Sequence, residues 1–100
     1  MTTGEVRELG DFIKQCKVFR EWLIRYKVYV EEGLSGFIVN IKPIAPDTMS
    51  SVRENMVNNG NMAKLKSEMA AINQPIIIIP DPTTIHSDVE FRFTIKPTKK

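Results

Sequence analysis

Two short runs constrain this chain more than anything else in it: Phe37-Ile38-Val39-Asn40-Ile41-Lys42-Pro43 and Phe91-Arg92-Phe93-Thr94-Ile95-Lys96-Pro97. Both alternate apolar and other residues with the period of two that turns one face of a strand toward a core. Both stop at a proline, which has no amide to give to a ladder. The shared Phe, Ile, Lys and Pro in one register suggest two similar units, each closing on an amphipathic strand. Elsewhere the two halves show no convincing identity, so the repeat speaks for architecture and leaves duplication unproved.

The remaining pattern fills in around these strands. Val6, Leu9, Phe12, Ile13, Cys16 and Phe19 recur at three- and four-residue steps and predict an amphipathic helix. Extending that helix to Tyr26 would push Arg20 into the apolar stripe, so its end is expected near Phe19 or Arg20. From Trp22, alternation through Ile24, Tyr26, Val28 and Val30 reads as a strand. A turn over Glu32 to Gly36 then leads into the strand from Phe37 to Ile44. A second helical segment is expected from a cap at Asp47 or Thr48. One stripe there is Met49, Val52 and Met56, and another is Met62, Leu65, Met69 and Ile72. Asn58-Asn59-Gly60-Asn61 breaks the phase between them. Ile76 to Ile79, fenced by Pro75 and Pro80, reads as a buried strand. A polar loop from Asp81 to Asp88 precedes a strand over Val89 to Ile95. The expected fold class is α+β: one domain with an antiparallel sheet of about four strands, helices on one face, and the order α-β-β-α(α)-β-β.

Composition narrows the function classes. With 42% hydrophobic and 26% charged residues the chain can build a core and is not a disordered polyelectrolyte. The net charge is +2, and no segment is the one-signed block of a nucleic-acid arm or a polybasic membrane anchor. Cys16 is the sole cysteine, which rules out an intrachain disulfide and favours a cytoplasmic setting. Glu5, Glu8 and Asp11 stand where a signal peptide needs basic and apolar residues. The apolar runs are too short for a membrane span.

Catalytic and metal signatures are missing. His86, the one histidine, could be grouped with Asp81 and Asp88, but the spacing matches no standard site and a solvated turn is preferred. Cys16 lies on an apolar stripe, where a thiol is an inert small hydrophobe. Glu31 and Glu32 have no apolar pocket to raise a carboxyl pKa. The glycines fit neither dinucleotide nor phosphate-loop spacing, and the asparagines around Gly60 deny a helix-turn-helix the apolar packing it needs. The expectation is a protein that is no enzyme, has no cofactor and takes no small-molecule substrate.

The leading expectation is an interaction or assembly protein, working as a homodimer or with another protein, with no membrane association. Trp22, Ile38, Met56, Met62 and Met69 are the candidate anchors, since aromatic and methionine side chains are enriched at interfaces. For the methionines alone, core packing is the preferred reading. The alternative is nucleic-acid binding through a basic sheet face. Alternation would bring Arg25, Lys27, Tyr29, Lys42, Arg92 and Lys96 onto that face beside Asn40 and Thr94, with Glu31 and Glu90 opposing them. Only Tyr29 is available there for base stacking.

Overall fold

In the computed structural model, residues 3–45, 52–58 and 60–98 are described. The expected cap at Asp47 or Thr48, Met49 and Asn59 lie outside them. The N-terminal apolar stripe forms two helices, α1 (Thr3–Gln15) and α2 (Lys17–Arg25). They part at Cys16, whose backbone is extended (φ −72°, ψ 138°). This break resolves the Arg20 conflict in a way the periodicity did not suggest. The helical phase is reset at Cys16, Val18, Phe19 and Trp22 turn inward, and Arg20 stays exposed. Trp22, Ile24 and Arg25 are therefore helical, and the expected strand from Trp22 begins only at Lys27. The start of α2 is capped from far along the chain. The Lys17 and Val18 amides donate to the two oxygens of the Glu68 carboxylate, at 2.7 and 3.0 Å. Such a cap stabilises by about 1 kcal/mol and places an anion at a helix N-terminus.

After a π-helical turn over Glu54–Asn58, Gly60 adopts φ 74° and opens α3 (Asn61–Ala71). The helix ends where Asn73 takes a left-handed φ of 60° and the Gln74 amide donates back to the Met69 carbonyl at 2.8 Å.

Four strands complete the α+β fold: β1 (Lys27–Gly33), β2 (Gly36–Lys42), β3 (Ile76–Pro80) and β4 (Phe91–Pro97). They form one antiparallel sheet in the order β1-β2-β4-β3. Phe37, Val39 and Ile41 of β2 and Phe91, Phe93 and Ile95 of β4 are buried beneath the helices. They join Val6, Leu9, Ile13, Phe19, Trp22, Met56, Leu65 and Met69 in one core. The α1–β2 approach is close: a Cβ on Gly10 would sit 2.5 Å from the buried Phe37 ring.

The twin endings meet in the middle of this sheet. Phe37 pairs with Ile95, Ile41 with Phe91, and Val39 with Phe93. Each Phe thus lies opposite the Ile of the other run, as for two equivalent strands related by a local two-fold through the Val39–Phe93 pair. Because β2 and β4 are antiparallel, Lys42 and Lys96 share a face but stand at opposite ends of it.

Two strand boundaries differ from expectation. Ile76–Pro80 is an edge strand and not a fully buried one, because its proline-fenced run has a partner on one side only. Val89 is exposed and precedes β4, since Ser87 Oγ accepts from the Val89 and Glu90 amides and holds them in a turn.

Candidate interaction surface

The period of two that buries one side of β2 and β4 determines what the other side shows. Register arranges that side in tiers. Lys27, Lys42 and Glu90 lie at one end; next come Tyr29, Asn40, Arg92 and Asp81. Glu31, Ile38, Thr94 and Ile79 form the third tier, and Lys96 and Ile77 the far end. Tyr29, Ile79 and Ile77 are 54%, 45% and 42% exposed, so this face is accessible across the width of the sheet. Ile38, Thr94, Ile79 and Ile77 make an apolar strip toward β3. Tyr29, Glu31, Ile38, Asn40 and Arg92 border a depression of about 390 Å³ beside it.

Arg92 is the hub of the polar tier. Its Nη1 lies 3.1 Å from Asp81 Oδ2 and its Nη2 3.4 Å from Glu90 Oε2. Asn40 Nδ2 donates to the second Glu90 oxygen at 2.8 Å, while Asn40 Oδ1 is buried without a partner. The backbone at Arg92 is fixed from β3's side. Thr84, buried in the 3₁₀ turn Pro82–Thr84, accepts from the Arg92 amide at 3.0 Å, and the Asp81 amide donates to the Arg92 carbonyl at 2.8 Å. Lys42 takes a different partner, its Nζ lying 5.4 Å from the Tyr29 ring centroid.

These contacts favour charged carboxylates. The Asn40 hydrogen bond, then the Arg92 and Lys42 charges, hold the Glu90 carboxyl below its usual range against the effect of burial. Asp81 is held low mainly by the Thr83 amide and hydroxyl, with Arg92 adding to them. A carboxyl whose folded pKa is depressed contributes stability above its unfolded pKa and loses it as pH falls through the folded value. Stability should therefore decline on acidification through and below about pH 4. Arg92→Gln should move the Asp81 and Glu90 titrations upward when followed by side-chain carboxyl NMR. Unmoved titrations would show that the arginine does not set them.

The structure unites Lys27, Tyr29, Lys42, Arg92 and Lys96 on this face, as alternation predicts. Arg25 is not among them, because it lies in the last turn of α2. Of the expected anchors, Trp22, Met56 and Met69 are buried in the core, Met62 is partly buried against it, and Ile38 alone belongs to the open sheet face. Ile77 and Ile79 also belong to this face, and Asp81 and Thr84 support Arg92; none of the four follows from the alternation of β1, β2 and β4. Pro75 and Pro80 were the available signal for an edge strand.

Asp81, considered with His86 and Asp88 as a metal ligand, instead accepts from Thr83 and pairs with Arg92. Among the described residues there is no group of three or more His, Cys, Asp or Glu side chains placed to share a metal ion. Burial, then the Glu68 charge, push the Cys16 thiol up, away from the nucleophilic thiolate. No described helix is long and apolar enough to cross a membrane. Comparison with protein-family models, curated proteins and solved structures returned no match.

Proposed function

We propose that the chain is a non-catalytic assembly protein whose open sheet face packs against a second copy of itself. One observation carries this reading: the face combines an apolar strip with an arginine already neutralised by two carboxylates. Lys27, Lys42, Arg92 and Lys96 are met there by Glu31, Asp81 and Glu90, so the surface is close to charge balance. Such a surface suits a partner that is itself apolar and mixed in charge, and sheets stacked face to face bury apolar strips of this kind.

Sedimentation velocity over a range of concentrations tests it. The wild-type chain is expected to form a dimer, and the double variant Ile38→Lys/Ile79→Lys a monomer with unchanged helix content and Tm. A wild-type chain that stays monomeric at high concentration would overturn the reading.

A second reading draws on a specific corner of the face. Lys27 and Lys42 flank Tyr29, and among the described residues neither they nor Lys96 have an ion pair. This supports nucleic-acid binding, for which log affinity should fall with log salt at a slope of about −3 if three phosphates are neutralised. Absence of binding to single- and double-stranded DNA and RNA at low salt would remove it.

A further inference from the structure

The edge strand β1 is left open in a way that β3 is not. It pairs with β2 alone. Gly33 and Gly36 close the hairpin around the two-residue turn Leu34-Ser35 and exchange hydrogen bonds. Alternation then turns the amides and carbonyls of Tyr29 and Glu31 toward β2 and leaves those of Val28 and Val30 facing outward. Among the described residues no hydrogen bond reaches Val28 or Val30 from that side. The helices stop short of this edge: Val30 lies on the helical side, opposite the buried Val39, yet is 41% exposed. At the other edge β3 is fenced by Pro75 and Pro80, which have no amide to offer, whereas Lys27–Gly33 contains no proline.

We propose that β1 pairs antiparallel with β1 of another copy across a two-fold axis at Tyr29, joining two face-packed dimers into a tetramer. The strand is its own complement in that register. Val28 of one chain stands opposite Val30 of the other, where both present amides and carbonyls to be exchanged. Tyr29 meets Tyr29 on the axis. Lys27 of each chain stands opposite Glu31 of the other, and neither side chain has an ion pair among the described residues. Charges on an edge ordinarily keep strands apart; in this register they meet with opposite signs. Moving the axis one residue to Val30 would set Val28 against Glu32 and Lys27 against Gly33, and the match would be lost. One such edge pair is too small an interface to hold single chains together. A face-packed dimer carries two β1 edges, and a second dimer that engages both gains from the high effective concentration of the second contact. The tetramer therefore rests on the face-packed dimer proposed above, and a chain unable to form that dimer stays monomeric.

Sedimentation velocity is carried to concentrations above those that complete the dimer. The wild-type chain is expected to pass from dimer to tetramer, with the Val28 and Val30 amides slowing in hydrogen exchange as it does. Val30→Pro removes an outward amide without taking a bond from β2, and it should leave a dimer at every concentration. Lys27→Glu sets carboxylates against each other at each end of the edge pair and should weaken the tetramer by about tenfold or more. It should not harm the chain itself, where Lys27 stands opposite Lys42. Lys27→Glu/Glu31→Lys, which exchanges the signs, should restore the tetramer. A wild-type dimer that never grows overturns the proposal and leaves the face-packed dimer standing; a wild-type monomer overturns both. A tetramer that Val30→Pro and Lys27→Glu leave as strong as in the wild-type chain overturns the edge pairing, and so does a charge-exchanged variant no stronger than Lys27→Glu.

Discussion

A Gly36→Ala chain is expected to lose about 3 kcal/mol of stability or more, a fall of about 12–24 °C in Tm for a domain of this size. Gly36 opens β2 with φ 142°, in the region that favours glycine. The strain of a side chain there costs about 1–3 kcal/mol by itself. A methyl group would also meet the Ile95 carbonyl oxygen at 2.7 Å and Thr94 Cγ2 at 2.9 Å. The first of these is backbone of the adjoining central strand and cannot rotate aside. Gly60 provides the control. It too has positive φ, but a Cβ there meets nothing within 4 Å, so Gly60→Ala should cost only about 1–2 kcal/mol. Urea denaturation of the two variants checks the difference. Equal losses would mean that the Ile95 contact is relieved by a shift of the hairpin.

Trp22→Ala should be comparably damaging, at about 3–5 kcal/mol. The indole packs against Phe19 at 5.6 Å between ring centroids and edge-on to Phe93 at 5.9 Å, so it ties α2 to the centre of the sheet. Trp22→Phe keeps an aromatic ring and removes an indole nitrogen that has no partner in the chain, so its loss should be much smaller. Denaturant midpoints of both variants are the measurement. Were Trp22 a surface anchor, the alanine variant would dissociate from its partner at unchanged monomer stability; a buried position predicts the reverse.

The sheet and its open face were legible because alternation at a period of two is a strong signal when one side is buried. It places Lys27, Tyr29, Lys42, Arg92 and Lys96 on one surface, and it wrongly adds Arg25, which belongs to α2. The segment from Arg20 to Tyr26 was not legible, for a physical reason. Trp22, Ile24 and Tyr26 alternate as in a strand, yet Phe19, Trp22 and Tyr26 also recur at helical steps. What decides between these patterns is the break at Cys16 and the Glu68 carboxylate that caps the following helix, a contact spanning half the chain. No local window contains it. The same holds for Arg92: alternation predicts its face, but Asp81 stands in a polar loop in the sequence, and only the β3–β4 register brings it to the guanidinium.

The central pairing of β2 with β4 also bears on how the chain reaches its fold. Each hairpin, β1–β2 and β3–β4, closes a modest loop, whereas Phe37 meets Ile95 and Ile41 meets Phe91 across half the sequence. Closing that long loop costs entropy before the contact repays it. The slow event in folding should accordingly be the docking of two preformed halves along the Val39–Phe93 seam. Mutations in that seam would then retard folding, while those in the outer strands would chiefly hasten unfolding.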